Sequence, residues 1–204
     1  MKSFLYFHGI FIPQEFEKTQ NHWSKRFINW LKSIELSHNT GKQSLAMLIR
    51  ESESLRGNVL EITRQINSLS KTESYQKSSE LLRTIPGIGL ITTMTILTEL
   101  DDINRFNRND DLCSYIGLVP MMDSSGEKEK HGNITFRANH ILRSMLIESS
   151  WVAVRHDPAL TKAYHDYCKR MEPNKAIIRI ARKLLNRIKY VLKNQKPYEK
   201  LKME

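Results

Sequence analysis

The 204-residue chain is 26% charged and 40% hydrophobic, with only 8 Gly and 6 Pro. That balance excludes a disordered or membrane-embedded chain and disfavours a turn-dense all-β fold. The net charge of +10 is localised: residues 1–126 hold 14 Lys+Arg against 14 Asp+Glu, whereas residues 127–204 hold 18 against 8.

The opening run Met1 to Phe7 is apolar, but His8 interrupts it and no small-residue cleavage site follows, so it is a poor signal peptide. Residues 14–36 are expected to form a helix, with Pro13 in its first turn and Phe16, Trp23, Phe27, Trp30, Leu31 and Ile34 at helical spacing. A turn at 37–41 leads into the cleanest periodicity of the chain: Leu45, Leu48, Ser52, Leu55, Val59, Ile62, Ile66 and Leu69, in alternating steps of three and four. This is the a/d stripe of a coiled coil, and it can pack on the Trp23/Trp30 helix or on a second copy of the chain.

Leu81 and Leu82 end a short helix, Ile85-Pro86-Gly87-Ile88-Gly89 makes a tight turn, and Leu90–Leu100 is apolar enough for a buried helix. Asn109 is placed to cap a helix over 110–116. Gly117–Gly132 is expected to be a polar loop, with no strong strand signal anywhere. Three helices follow over 136–156, 158–170 and 174–194, broken at Asp157-Pro158 and Glu172-Pro173. The tail from Pro197 is charged and expected to fray. The fold class expected is therefore all-α: a helical, coiled-coil region over 1–80, a compact helical domain over 81–196 and a tail over 197–204. No stretch reaches the ~18 apolar residues that cross a bilayer. Cys113 and Cys168 form no CxxC, which excludes a disulfide scaffold or cysteine zinc module and suits a cytoplasmic setting.

Three features carry chemistry. The Gly87/Gly89 turn suits a helix-hairpin-helix, in which the second helix offers free N–H groups to a phosphate at its positive end. Gly87, Gly89 and Thr92 are its candidate DNA contacts; the plainer alternative is a helix–helix turn needing two glycines. The loop containing Ser124-Ser125-Gly126 is sterically open, and Lys128, Lys130, Arg137 and Arg143 follow with phosphate-holding charge. An ordinary flexible loop has the same composition, and a serine hydroxyl needs a base or metal to attack. The last helix sets an apolar stripe beside Lys175, Arg179, Arg182, Lys183, Arg187, Lys189 and Lys193. That pattern fits a track along a nucleic-acid backbone or a solvated basic face. Asp101-Asp102 and Asp110-Asp111 read as helix caps rather than Mg²⁺ ligands.

From Leu81 to about Asn194 the chain resembles the C-terminal domain of insertion-sequence transposases of the IS110 family, also named for IS116 and IS902. The matching pieces are Ile85-Pro86-Gly87-Ile88-Gly89, Ile103-Asn104-Arg105-Phe106, Tyr115-Ile116-Gly117-Leu118-Val119-Pro120, Ser125-Gly126, Gly132-Asn133-Ile134-Thr135, Leu142-Arg143 and Ala181-Arg182-Lys183-Leu184. The resemblance implies a DNA recombinase whose proposed nucleophile stands at Ser125, with Ser124 the weaker neighbour. It also implies a DNA partner, a guide RNA, homo-oligomers formed here through the 44–69 helix, and a bacterial, nucleoid-associated location. The family's Mg²⁺ belongs to an N-terminal RuvC-like domain with Asp-Glu-Asp-Asp carboxylates. That domain is expected to be missing here, which leaves no cofactor in this chain and points, as the alternative, to a catalytically inactive DNA-binding or dimerisation fragment. Phe136 and Ala138 depart from the family, where a basic residue and a glycine are common.

Overall fold

The computed structural model describes residues 1–16, 23–125 and 128–199, without the side chains of 121–133. It divides into two compact units, Met1–Arg64 and Gln65–Glu204.

In the first unit, α1 (Lys2–Phe7) precedes a 3-10 turn (Gln14–Phe16), α2 (Lys25–Lys32) and the start of α3 (Asn39–Leu69). The helix expected over 14–36 is thus much shorter. Trp23 adopts a positive φ of 66°, which a bulky residue rarely tolerates within a helix, and its carbonyl accepts from Arg56. Ser24 then restarts the chain as a cap, accepting from the Phe27 amide at 3.1 Å, which satisfies one of the orphan donors of α2. Phe16, Phe27 and Trp30 stack with centroids 5.4 to 5.8 Å apart over buried Leu31, Leu45 and Ile49. Aromatic pairs of this geometry contribute roughly 0.5–1.5 kcal/mol beyond their area.

Helix α3 matches the expected heptad run, and its 31 residues span about 46 Å. Its stripe is buried only at the start. Leu55, Val59 and Ile62 are 54%, 62% and 53% exposed.

The second unit contains α4 (Gln76–Leu82), α5 (Leu90–Leu100), a 3-10 turn (Ile103–Arg105), α6 (Asn109–Ile116), β1 (Pro120–Ser125), β2 (Lys128–Ile134), α7 (His140–His156), α8 (Pro158–Cys168) and α9 (Pro173–Asn194). The fold is all-α, as its apolar periodicity implies, with one addition: β1 and β2 form an antiparallel hairpin within what reads as a loop. Neither strand is rich in β-branched or aromatic residues (Pro-Met-Met-Asp-Ser-Ser and Lys-Glu-Lys-His-Gly-Asn-Ile), so propensity gave no warning.

Helix α9 is the centre of this unit. Ala176, Ile177, Ile180, Ala181, Leu184, Leu185, Ile188, Val191 and Leu192 are all buried on it, and α4, α6, α7 and α8 pack around it. Sequence alone shows an apolar stripe beside a basic face. In the structure its apolar face is so wide that it becomes the core, as expected of a helix that many neighbours enclose. The tail is not frayed at Tyr198. Its amide donates to Thr84 Oγ1 at 2.8 Å and its hydroxyl to Asp157 Oδ2 at 2.6 Å.

Among the described residues no helix is long and apolar enough to cross a membrane.

Candidate nucleic-acid interface

The turn between α4 and α5 seats Ile85 and Ile88 in the core, and its two glycines do different work. Gly87 has φ +87°, and a Cβ there would stand 2.2 Å from the Ser149 carbonyl oxygen and 3.1 Å from the Ala153 nitrogen of α7. Both the left-handed conformation and the contact with a helix backbone demand glycine. Gly89 is in ordinary extended conformation, φ −93° and ψ −179°, and caps α5 without a side chain. Nothing lies within 4 Å of where its Cβ would be. The first amides of α5, which have no intrahelical acceptor, therefore begin beside an open approach, with Thr92 half-buried in that first turn. Of the expected contacts at this turn, Gly87 faces α7 while Gly89 and Thr92 remain accessible.

The hairpin is built on a clamped base. Its ladder pairs Pro120 with Ile134, Met122 with His131, Asp123 with Lys130, Ser124 with Glu129 and Ser125 with Lys128, with an irregularity between Pro120 and Met122. The Ser125 backbone thus ends β1 opposite Lys128. The side chains of Ser125, Lys128 and Lys130 lie outside the described residues, as does Gly126 entirely.

Below the ladder, Thr135 N–H donates to the Val119 carbonyl at 3.1 Å. The half-buried Arg143 donates from Nη1 to the Thr135 carbonyl at 2.6 Å and, more weakly, to that of Gly117 at 3.4 Å. Its Nη2 lies 3.0 Å from His140 Nδ1. Arg143 so ties the two feet of the hairpin together. Its planar fork suits that task, and those donors are not free for a phosphate. Gly117, at φ +81°, lets the feet close: a Cβ there would lie 2.2 Å from Ala138 Cβ. Asn139 caps α7 through its Oδ1 to the Leu142 amide at 3.0 Å and donates from Nδ2 to Glu99 at 2.7 Å. The first turn of α7 carries no acid, so its positive end is not neutralised from within the helix. Arg137 stands exposed at its threshold.

The cations of α9 divide. Arg182 pairs with Asp110 at 2.7 Å and Arg187 with Asp157 at 2.6 Å. Lys189 donates to the Asn107 carbonyl at 3.2 Å and Lys175 pairs with Glu172 at 3.2 Å. Arg179 and Lys183 are exposed, with Lys183 6.0 Å from the Tyr167 ring. Intramolecular partners thus occupy Arg182 and Arg187, and Arg179 and Lys183 keep their solvent exposure.

The carboxylates act as caps and pairs. Asp102 accepts from the Asn104 amide at 2.8 Å, Asp111 from the Arg108 amide at 3.0 Å, and Asp110 holds Arg182. Asp111 sits below the usual carboxylate range because the Arg108 side chain and amide both donate to it.

Two groups escaped the sequence reading. Asp157, seen there only as a helix break, is 1% exposed and accepts from the Ala159 and Leu160 amides, Arg187 and Tyr198. Burial pushes its carboxyl up, but the hydrogen bonds of Tyr198 and Leu160 and the Arg187 charge outweigh that and hold it low. Arg105 lies 4.6 Å over Phe106 and 4.9 Å over Tyr115, a stack that no local spacing announces. The Asp-Pro pair did signal a cap, since Asp before a first-turn Pro is a standard helix start.

Residues 79–166 match the model of the transposase IS116/IS110/IS902 family. Among known proteins, the chain is 30% identical over 148 residues to the transposase for insertion sequence element IS1111A of Coxiella burnetii, which covers 70% of this chain and 40% of that protein. Residues 79–166 belong to the IS116/IS110/IS902 transposase family.

A putative transposase of Sinorhizobium fredii is 26% identical over 162 residues, 79% of the chain and 37% of that protein. A pilin gene-inverting protein of Moraxella bovis is 34% identical over 136 residues, 63% of the chain and 41% of that protein. The chain spans about two fifths of the length of these relatives. The transposase-family segment contains the Gly87–Gly89 turn, the whole hairpin, the Arg143 clamp and Asp157. It ends before α9 begins, so Arg179, Arg182, Lys183 and Arg187 lie beyond it.

Proposed function

We propose that this chain is the DNA-handling part of a transposase, acting in DNA transposition or site-specific recombination. Ser125 would be the nucleophile: its hydroxyl attacks a DNA phosphate, a Ser–O–P bond forms, and the bond from phosphorus to a deoxyribose oxygen breaks, that oxygen leaving as a hydroxyl with the proton the serine gives up. The observation that carries the reading is the clamped hairpin. A serine at the end of a ladder whose feet are bound by Arg143 is presented on a rigid support, which a strand-transfer step needs for alignment. The open amides at Gly89 and the exposed Arg137 suit phosphates on either side. The relatives named as transposases and as a gene-inverting protein support the class of reaction. Among the described residues no three His, Cys, Asp or Glu side chains converge as metal donors.

Binding of the purified chain to duplex DNA, titrated against salt, tests the reading. Affinity should fall linearly on a logarithmic salt scale, with a slope set by the phosphates neutralised. No binding at low salt refutes it. Covalent capture on a nicked substrate tests Ser125: an adduct that survives Ser125→Ala removes the residue from that role.

A second reading rests on α3. Leu55, Val59 and Ile62 leave its a/d stripe open, and a helix seam of this kind buries itself against a like seam. The chain would then act as a homo-oligomer through residues 44–69. Without an activated serine it would be a dimerising DNA-binding module, with a guide RNA as a further polyanionic partner. Sedimentation of Val59→Glu/Ile62→Glu beside the wild type decides the point; equal masses exclude this seam.

A further inference from the structure

Phe136 is 77% exposed, more than any other large apolar side chain described in the second unit. An isolated exposed apolar residue is unremarkable; this one sits on an unusually well-held backbone. On one side, Thr135 donates to the Val119 carbonyl, and its own carbonyl accepts from Arg143 at 2.6 Å. On the other, Arg137 N–H donates to Thr135 Oγ1 at 3.2 Å, and Ala138 is lodged against Gly117. Asn139 closes the segment as the cap of α7. Five residues are thus pinned by both hairpin feet and by a helix start, and the ring projects from the middle of a rigid span.

The charge around it selects the occupant. Arg137 follows directly and is exposed, and Arg143, whose own donors the hairpin feet occupy, adds its charge from the first turn of α7. The acid-free first turn of α7 adds its positive end. The carboxylate nearest in the bonding network, Glu99, is already engaged by the Asn139 amide. An apolar protein surface docking on the ring would strip water from Arg137 and α7 without compensation. A nucleotide meets both needs at once, with its base on the ring and its phosphate on the cations.

We propose that Phe136 is a base-stacking residue that takes an unpaired nucleobase of the DNA strand at the foot of the hairpin, with Arg137 on the adjoining phosphate. The inference rests on the DNA-binding reading above and adds to it a preference for locally opened DNA. A strand that must be attacked and exchanged has to leave its partner, and a ring held beside the serine hairpin stabilises the opened form.

The test compares affinities of the full chain for an oligothymidylate single strand and for a blunt duplex of equal length. Phe136→Ala should weaken single-strand binding roughly tenfold, with duplex affinity and salt slope unchanged. Phe136→Trp should bind single strands at least as well as wild type, and Phe136→Leu should behave like the alanine variant, because the π face and not apolarity does the binding. Arg137→Ala should weaken both probes and lower the salt slope by about 1. Equal losses on both probes, no loss on either, rescue by Leu, or a changed oligomeric mass in Phe136→Ala would each overturn the proposal, the last by assigning the ring to a protein contact. Failure of the wild type to bind either probe at low salt would instead remove the DNA-binding reading on which it rests. An unchanged thermal melt of Phe136→Ala separates these outcomes from misfolding.

Discussion

Removing the Asp157 carboxylate should cost more stability than any surface change in this chain. Its side chain and that of Arg187 are 1% and 20% exposed, so truncation to alanine leaves a largely buried guanidinium without its counter-charge. Breaking such a pair from one side costs about 3–5 kcal/mol. Asp157→Asn keeps an oxygen for the Ala159 and Leu160 amides but loses the charge and replaces the oxygen that accepts from Arg187 and Tyr198 with an amide nitrogen. The alanine variant also loses the cap, so it should be less stable than the asparagine variant by about 1 kcal/mol. Set against a total of roughly 5–15 kcal/mol for a domain, the alanine change consumes a large share. The pH dependence has a definite sign. The folded carboxyl lies below its ordinary value, so its stabilisation is present above the unfolded value near 4 and is lost as pH falls through the folded one. Urea unfolding followed by circular dichroism, at neutral and at acid pH, measures both effects. A loss under about 1 kcal/mol for Asp157→Ala, or an equally steep acid limb in Asp157→Asn, would refute the reasoning.

Other expectations follow from the same geometry. Gly87→Ala should cost more than about 2 kcal/mol, combining a positive φ with a clash against α7, while Gly89→Ala should leave the thermal melt unchanged and weaken DNA binding; equal melts for the two variants would contradict the division of labour. Tyr198 is pushed up to about 12 by burial and its bond to Asp157. Its contribution is therefore complete below the unfolded value near 10 and lost as pH rises through 12, an alkaline limb that should vanish from the stability profile of Tyr198→Phe. Arg143→Lys, which lacks the fork, should speed amide exchange at Thr135 and along β1 and β2 while α7 stays protected.

What the sequence made legible followed the strength of its local signals. Leu90–Leu100 reads as a buried helix; the helix forms, because an apolar eleven-residue run after a glycine has few alternatives, but only Thr93, Met94, Ile96 and Leu100 are buried on it. The 44–69 periodicity is equally plain, and α3 follows it. The helix over 14–36 failed at Trp23 and Ser24, where a left-handed residue and a capping serine outweigh a hydrophobic spacing that continues past them. The hairpin was illegible because its pairing is held from outside, by Arg143 and Gly117, and not by strand-forming residues. In α9 the cations are visible in sequence, but Asp110, Asp157 and the Asn107 carbonyl, which occupy several of them, lie 30 to 82 positions away. The same blindness joined Gly87 to Gly89, since only the approach of Ser149 tells them apart.

The placing of α9 at the centre of the second unit bears on how the protein is made. The helix that α4, α6, α7 and α8 enclose follows all of them in the chain and lies wholly outside residues 79–166. On the ribosome those helices emerge first, with their apolar faces waiting for a strut that arrives last. Residues recognisable by kinship and residues able to fold are therefore different sets. An excised 79–166 peptide would bare the faces that Leu184, Leu185 and Ile188 cover, and would be expected to aggregate where the longer polypeptide folds.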